Sequence, residues 1–114
     1  MLNQKELNDT NLKIAVWQKA KTDPNRDPNV WRKDVAGAWI KWDQYSNRND
    51  ELNYGWEIDH LKPTAKGGSD DLKNLRPLHW KNNCSKGDNY PTWKSAISSD
   101  GNKNIHKTTR WTIQ

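Results

Sequence analysis

The stretch that decides the fold reads Trp-Glu-Ile-Asp-His-Leu-Lys-Pro at residues 56–63. Large and polar side chains alternate over residues 56–61, which is typical of a strand with one buried face. Pro63 and the pair Gly67–Gly68 then begin a turn-rich segment, because proline lacks an N–H donor and glycine adopts positive φ angles. We therefore predict a strand that ends at the pair Asp59–His60.

The residues after the glycine pair predict a second strand and a short helix. Residues 72–78 suit a strand in which Pro77 lies at an edge or at the end, since it cannot donate to a ladder. Residues 80–86 suit a short helix that packs on the strands and ends near Gly87. The predicted order is strand, loop, strand, helix.

The flanking segments predict fewer regular elements. Upstream, apolar side chains recur over residues 11–21 as in a thin amphipathic helix, and residues 39–44 alternate as in a strand. Downstream, residues 91–97 favour a short helix, and residues 108–113 favour a closing strand. These elements predict an α+β fold with an extra N-terminal helix and short strands around the central motif.

The composition indicates one small folded domain. A chain of 114 residues suits a single domain over residues 1–114, with the central motif at about residues 54–88. Only 32% of the residues are hydrophobic and none is phenylalanine, so the eight tryptophans must supply much of the buried area. We expect a core built on tryptophan.

The charge indicates a polyanionic partner. The formal net charge is +5, and residues 60–114 carry ten Lys or Arg against four Asp or Glu. A basic surface attracts nucleic acid through counterion release, although a charge of this size also serves solubility alone. The sequence shows no run of about 20 apolar residues and no secretion signal, so we expect no membrane partner and a cytoplasmic location. Export by other machinery is compatible with the same sequence.

The side chains around His60 meet the needs of phosphodiester hydrolysis. That reaction needs a group that activates water, a cation that offsets charge on the phosphate, and groups that hold both in place. Imidazole is a general base near neutral pH. Asp59 offers a hard oxygen ligand, and an asparagine carbonyl offers a second one. Because adjacent strand residues point to opposite faces, this site requires the chain to leave regular β geometry at Asp59–His60.

The ordered set Asp59–His60, Gly67–Gly68, Asn74–Leu75, Asn83 and Lys86 resembles the HNH endonuclease family, whose ββα-metal fold has the same order of elements. The spacing is also similar to that of the HNH domain of Cas9-type enzymes. By this resemblance, Asp59 and Asn83 would hold one Mg²⁺ or Mn²⁺ ion, His60 would be the general base, and Asn74 would orient the loop that bears His60. The resemblance implies hydrolysis of phosphodiester bonds in DNA.

The sequence also predicts how DNA would be held and which metal would be absent, and the resemblance itself implies a phosphate contact for Lys86. Five basic residues would position the substrate: Lys62, Lys66, Arg76, Lys81 and Lys86. Many members carry cysteine pairs that bind a structural zinc, but Cys84 is the single cysteine here, so no structural zinc is expected. Asn83 stands where many members have histidine, which favours Mg²⁺ or Mn²⁺ over Zn²⁺.

Two other interpretations stay open. One is a noncatalytic nucleic-acid-binding module that keeps an HNH-like fold, and the other is a toxin-type nuclease with an immunity partner. Each residue alone has a structural explanation: Asp59 as a turn cap, His60 as a half-buried histidine, and Asn74 and Asn83 as turn or cap residues. Their joint order and spacing favour the enzyme. A homodimer or an accessory protein stays open as a further partner.

Overall fold

Three β-hairpins and three α-helices make up the architecture of the computed structural model, which describes residues 2–114 and confirms the α+β fold. Each hairpin is a separate two-stranded antiparallel sheet, with the pairs β1–β2, β3–β4 and β5–β6. The elements are α1 (Gln4–Leu7), α2 (Thr10–Trp17), β1 (Trp31–Lys33), β2 (Trp39–Lys41), β3 (Trp56–His60), β4 (Leu75–His79), α3 (Trp80–Lys86), β5 (Thr92–Asp100) and β6 (Lys103–Thr112).

The central strand, turn, strand and helix follow the predicted order. β3 ends at His60, and its register with β4 places Ile58 opposite Pro77. Pro77 is compatible with this ladder because a two-stranded sheet has only edge strands. The second strand starts later than predicted, because residues 72–74 form a 3₁₀ turn before β4. Helix α3 occupies the predicted residues and ends at Lys86, and it is followed by the capping residue Gly87, whose φ of 52° suits glycine.

The helix predicted over residues 11–21 and the strand predicted over residues 39–44 both end earlier in the structure. Helix α2 begins at an Asp9 cap, which accepts a hydrogen bond from the Leu12 backbone, and ends at Trp17. It cannot reach residue 21, because Lys21 pairs with Lys33 beside β1. The strand predicted over residues 39–44 is β2 followed by a 3₁₀ turn over Trp42–Gln44.

The predicted helix over residues 91–97 is wrong, because these residues enter β5. Trp93, Ser95 and Ile97 are buried and alternate with more exposed neighbours, which is a strand period. β5 and β6 form the longest hairpin, and the predicted closing strand is only the second part of β6. We call this hairpin, residues 92–112, the β5–β6 ribbon.

Tryptophan dominates the main core, as predicted. Trp56 is fully buried, and its ring centroid lies 5.2 Å from that of Trp17, 5.8 Å from Trp42 and 4.9 Å from Tyr45. Aliphatic side chains complete the cluster: Val16, Ile40, Ile58 and Leu75. This cluster lies under β3 and thereby supports the strand that carries Asp59 and His60.

A second buried cluster is polar and joins the three hairpins. Asp34, in the turn between β1 and β2, accepts hydrogen bonds from the His79 backbone at 3.0 Å and from Asn82 Nδ2 at 3.0 Å. The Asn82 amide also donates to the Ile97 carbonyl and accepts from the backbones of Ala96 and Ile97. Asp34 and Asn82 therefore connect the first hairpin, α3 and β5.

No helix within residues 2–114 is long and apolar enough to cross a bilayer.

Replacing Asn82 with alanine should destabilise the fold strongly. The substitution removes the oxygen that accepts from the Ala96 and Ile97 backbone amides and one of the two hydrogen bonds to Asp34 Oδ2, and we expect a loss of about 3 kcal/mol or more in the free energy of unfolding. Urea denaturation measures this loss. Asn49→Ala, at an exposed loop position, is the matched control, and equal stabilities of the two variants would contradict the role of Asn82.

Candidate active site

Helix α3 lies against β3 and contacts two carboxylates on the strand, Glu57 and the predicted Asp59. Asn83 Nδ2 donates to Glu57 Oε1 at 2.9 Å, and Lys86 Nζ lies 3.3 Å from Asp59 Oδ1. Glu57 and Asp59 project from the same face of β3, because alternate strand residues share a face. Asn83 and Lys86 are three positions apart and share a helix face in the same way. The two contacts together set the rotation of α3 on the strand.

A cavity of about 170 Å³ lies beside these contacts, and three of the predicted site residues line it. It is lined by Asp59, His60 and Asn83, and by Ile58, Pro63, Thr64, Gly87 and Asp88. The expected departure from β geometry is wrong, because β3 remains paired through His60, which lies opposite Leu75. The cavity lies at the end of the strand, so neighbours from both faces reach it.

His60 is held by the carboxylate of Asp70, which was not among the predicted site residues. Its Nε2 atom lies 2.9 Å from Asp70 Oδ1, and its backbone carbonyl accepts a hydrogen bond from Lys86 Nζ at 3.0 Å. The imidazole is 15% exposed. Asp70 lies in the Gly-Gly-Ser-Asp-Asp run that predicted only a turn. Ten residues separate it from His60, so only the closure of the loop could have revealed the pair.

Asn74 closes that loop. Its Oδ1 accepts from the Lys62 backbone at 2.9 Å, and its Nδ2 donates to the Lys62 carbonyl at 3.1 Å and to the Ser69 carbonyl at 2.7 Å. The loop therefore leaves His60 and returns to Asp70 with both ends tied to one amide. Gly68 permits the closure, since a Cβ atom there would lie 1.7 Å from the Lys62 carbonyl oxygen.

Asp59 is buried between two cations. Its side chain is 5% exposed; Oδ2 lies 3.0 Å from Arg76 Nε, and Oδ1 faces Lys86. Burial raises the pKa of Asp59, and the charges of Lys86 and Arg76 oppose that rise. Burial lowers the pKa of Lys86, whereas Asp59 opposes that change. Both cations were expected to bind phosphate, but here they bind the Asp59 carboxylate and are largely buried.

The remaining predicted basic residues lie nearer the surface. Lys62 and Lys66 are exposed on the loop that contributes Pro63 and Thr64 to the cavity. Lys81 forms an ion pair with Glu51 at 3.1 Å. The loop lysines are therefore available to an anionic ligand at the cavity, whereas the Lys81 ammonium already has a carboxylate partner.

The oxygen donors at the cavity suit a hard cation. No three Asp, Glu, His or Cys side chains within residues 2–114 are grouped so that they could hold a metal ion. The donors at the cavity are instead the carboxylates of Asp59 and Asp88 and the Asn83 amide. The amide nitrogen of Asn83 donates to Glu57. The Glu57 carboxylate also accepts two hydrogen bonds from Arg48, from Nε at 2.6 Å and from a terminal guanidinium nitrogen at 2.7 Å. The contact with Glu57 does not use the carbonyl oxygen of Asn83, and oxygen donors of this kind fit Mg²⁺ or Mn²⁺.

His79 fixes the start of the helix that carries Asn83. Its Nδ1 accepts from the Lys81 backbone at 3.1 Å, and its Nε2 lies 2.6 Å from the Asn53 carbonyl oxygen. The imidazole is buried, and burial lowers the pKa of His79 from 6.5 to about 4, against the raising effect of the Asn53 hydrogen bond. His79 is therefore neutral in the folded protein at neutral pH.

Acid should weaken the fold through His79. His79 binds a proton near pH 6.5 in the unfolded chain but only near pH 4 in the folded protein, because burial lowers its pKa. Its contribution to the free energy of unfolding is therefore fully present above pH 6.5 and is lost as the pH falls from 6.5 to about 4. A shift of this size corresponds to about 3 kcal/mol. Urea denaturation at neutral pH and near the lower pKa measures it. His79→Gln should lose less stability on acidification than the wild type; an equal loss in both would contradict the assignment.

Comparison with known families matches the centre of the chain to a nuclease. The HNH endonuclease family model matches residues 44–89, a segment that contains β3, β4 and α3. The predicted resemblance is therefore confirmed and supports a nuclease-like function. Members of this family generally use a divalent metal ion and act on nucleic acid. No curated protein and no solved structure matches the chain.

Proposed function

We propose that this chain, whose residues 44–89 match the HNH endonuclease family, is a metal-dependent endonuclease that hydrolyses phosphodiester bonds in DNA. The observation that carries the proposal is the cavity shared by Asp59, His60 and Asn83. These residues supply a base and two oxygen ligands, which are the parts that the reaction needs. The match alone would leave their relative positions open, and the shared cavity supports a common role.

His60 acts as the general base in this proposal. The Asp70 carboxylate beside Nε2 favours the tautomer that carries its hydrogen on that nitrogen. Nδ1 then has the free lone pair and accepts a proton from the attacking water. Asn74 supports this arrangement because it ties the loop between His60 and Asp70. Asp70 and Asn74 are therefore positioning residues.

Asp59 and Asn83 are the residues that would hold Mg²⁺ or Mn²⁺. The bound cation would offset negative charge on the scissile phosphate and the departing oxygen. The charges of Lys86 and Arg76 oppose the rise in the pKa of Asp59 that burial causes, and the ionised form is the one that binds a cation. Glu57 accepts a hydrogen bond from the amide nitrogen of Asn83, so the carbonyl oxygen of Asn83 would be the atom that binds the cation. Lys62 and Lys66 would contact the phosphates that flank the scissile bond.

Nicking of supercoiled plasmid DNA tests the proposal directly. The wild type should nick the plasmid with Mg²⁺ or Mn²⁺ and lose this activity in EDTA, while His60→Ala should be slower by about 10²- to 10⁴-fold because it lacks the base. His106→Ala is the matched control, since His106 is largely exposed and lies outside the cavity. Nicking that persists in EDTA or in His60→Ala would overturn the mechanism. DNA binding without any cleavage would favour the noncatalytic module.

Asp70→Asn should slow cleavage without weakening DNA binding. An amide at this position no longer selects the tautomer that leaves Nδ1 unprotonated, so we expect kcat to fall by about 10- to 100-fold while KM changes little. Steady-state cleavage of a labelled duplex separates the two constants, and Asp71→Asn, at the exposed neighbouring residue, is the control. A wild-type kcat in Asp70→Asn would show that the contact does not position His60.

A further inference from the structure

The HNH-matched segment does not carry the excess positive charge. Residues 44–89 contain seven basic and seven acidic side chains, whereas residues 90–114 contain four basic and one acidic. Within the matched segment, Arg76 and Lys86 bind Asp59, and Arg48 binds Glu57. The segment that holds the cavity is thus close to neutral, and attraction for a polyanion must come largely from elsewhere in the chain.

The β5–β6 ribbon presents two cations directly opposite each other. Trp93 and Ser95 are buried against the body of the protein, so Lys94 between them lies on the outer face. The register places Lys94 opposite Arg110, and both residues are exposed. Like charges at directly opposed positions destabilise a sheet. Among the described residues, neither cation has an acidic partner within 4.0 Å, so the protein itself does not compensate this repulsion.

The opposed pair lies at the end of the ribbon that is joined to the active-site helix. Ser85 Oγ, on α3 next to Lys86, donates to the Lys94 carbonyl at 2.6 Å. The ribbon starts four residues after Asp88, which lines the cavity. The opposed pair is therefore joined to α3, the helix whose Asn83 lines the cavity.

We propose that the outer face of the ribbon, centred on Lys94 and Arg110, binds the phosphate backbone of the DNA duplex that is cleaved in the cavity. This inference rests on the proposed function and extends it to residues outside the HNH-matched segment. The outer face carries Thr92 and Thr112 beside the two cations, without an aromatic ring on which an unpaired base could stack. Contacts of this kind fix the position of a duplex without reading its sequence.

The salt dependence of DNA binding tests the ribbon. Binding of a fluorescein-labelled DNA duplex is measured by anisotropy across a salt series, with His60→Ala in every protein to prevent cleavage. Lys94→Gln and Arg110→Gln should each raise Kd and reduce the slope of log K against log salt by about 1. Lys21→Gln removes an equal charge at an exposed position before β1 and should leave the slope unchanged. Lys94→Arg should restore the wild-type slope.

The outcomes separate this inference from the proposed function. Unchanged slopes in both Lys94→Gln and Arg110→Gln overturn the ribbon as a DNA-binding surface, even if plasmid nicking still depends on His60. A reduced slope supports the ribbon even if the wild type never cleaves, in which case only the proposed catalysis fails. Circular dichroism checks folding. Each glutamine variant should melt no earlier than the parent protein, because it removes one of two opposed like charges.

Discussion

The rest of the structure depends on the buried hydrogen bond between Asp34 and Asn82. Three separate two-stranded sheets have no common ladder to hold them together, and a two-stranded hairpin is marginally stable alone. The hydrogen bond from Asn82 to Asp34 joins α3 to the turn of the first hairpin, and the hydrogen bond from the Ile97 backbone to Asn82 joins β5 to α3. Burial raises the pKa of Asp34, and the hydrogen bonds from Asn82, His79, Ala38 and Ala36 oppose that rise. The same contacts that satisfy the buried carboxylate thus assemble the domain.

Asn82 also links the architecture to the site. Its neighbour Asn83 faces Glu57 on β3, so adjacent residues of one helix face the polar cluster and the cavity. On the strand side, Trp56 supports β3 from the tryptophan core, and Asp59 lies three residues further along. The cavity therefore lies between the tryptophan core and the buried polar cluster of Asp34 and Asn82. The first is held by aromatic packing and the second by hydrogen bonds.

Local patterns predicted β3 and α3, because alternation and a C-terminal glycine are visible over short distances, and the resemblance to the HNH family named three residues that line the cavity, Asp59, His60 and Asn83. Asp70 could not be predicted, since its partnership with His60 depends on how the intervening loop closes. The Asp34–Asn82 contact joins residues 48 positions apart, and nothing local marks either residue as buried. Residues 92–97 lie in β5 and not in the predicted helix, because Trp93, Ser95 and Ile97 are buried at every second position. Tertiary packing decided that segment.

Helix α3 has a further consequence for how this protein can vary. In only seven residues it faces the polar cluster through Asn82, Glu57 through Asn83, Lys94 through Ser85 and Asp59 through Lys86. Each residue of an α-helix is rotated by about 100° from the one before. One inserted or deleted residue would therefore turn several of these side chains away from their partners at once. A change in length that keeps these contacts must therefore lie in the loops, and the spacing between the cavity residues is a property of the folded interior.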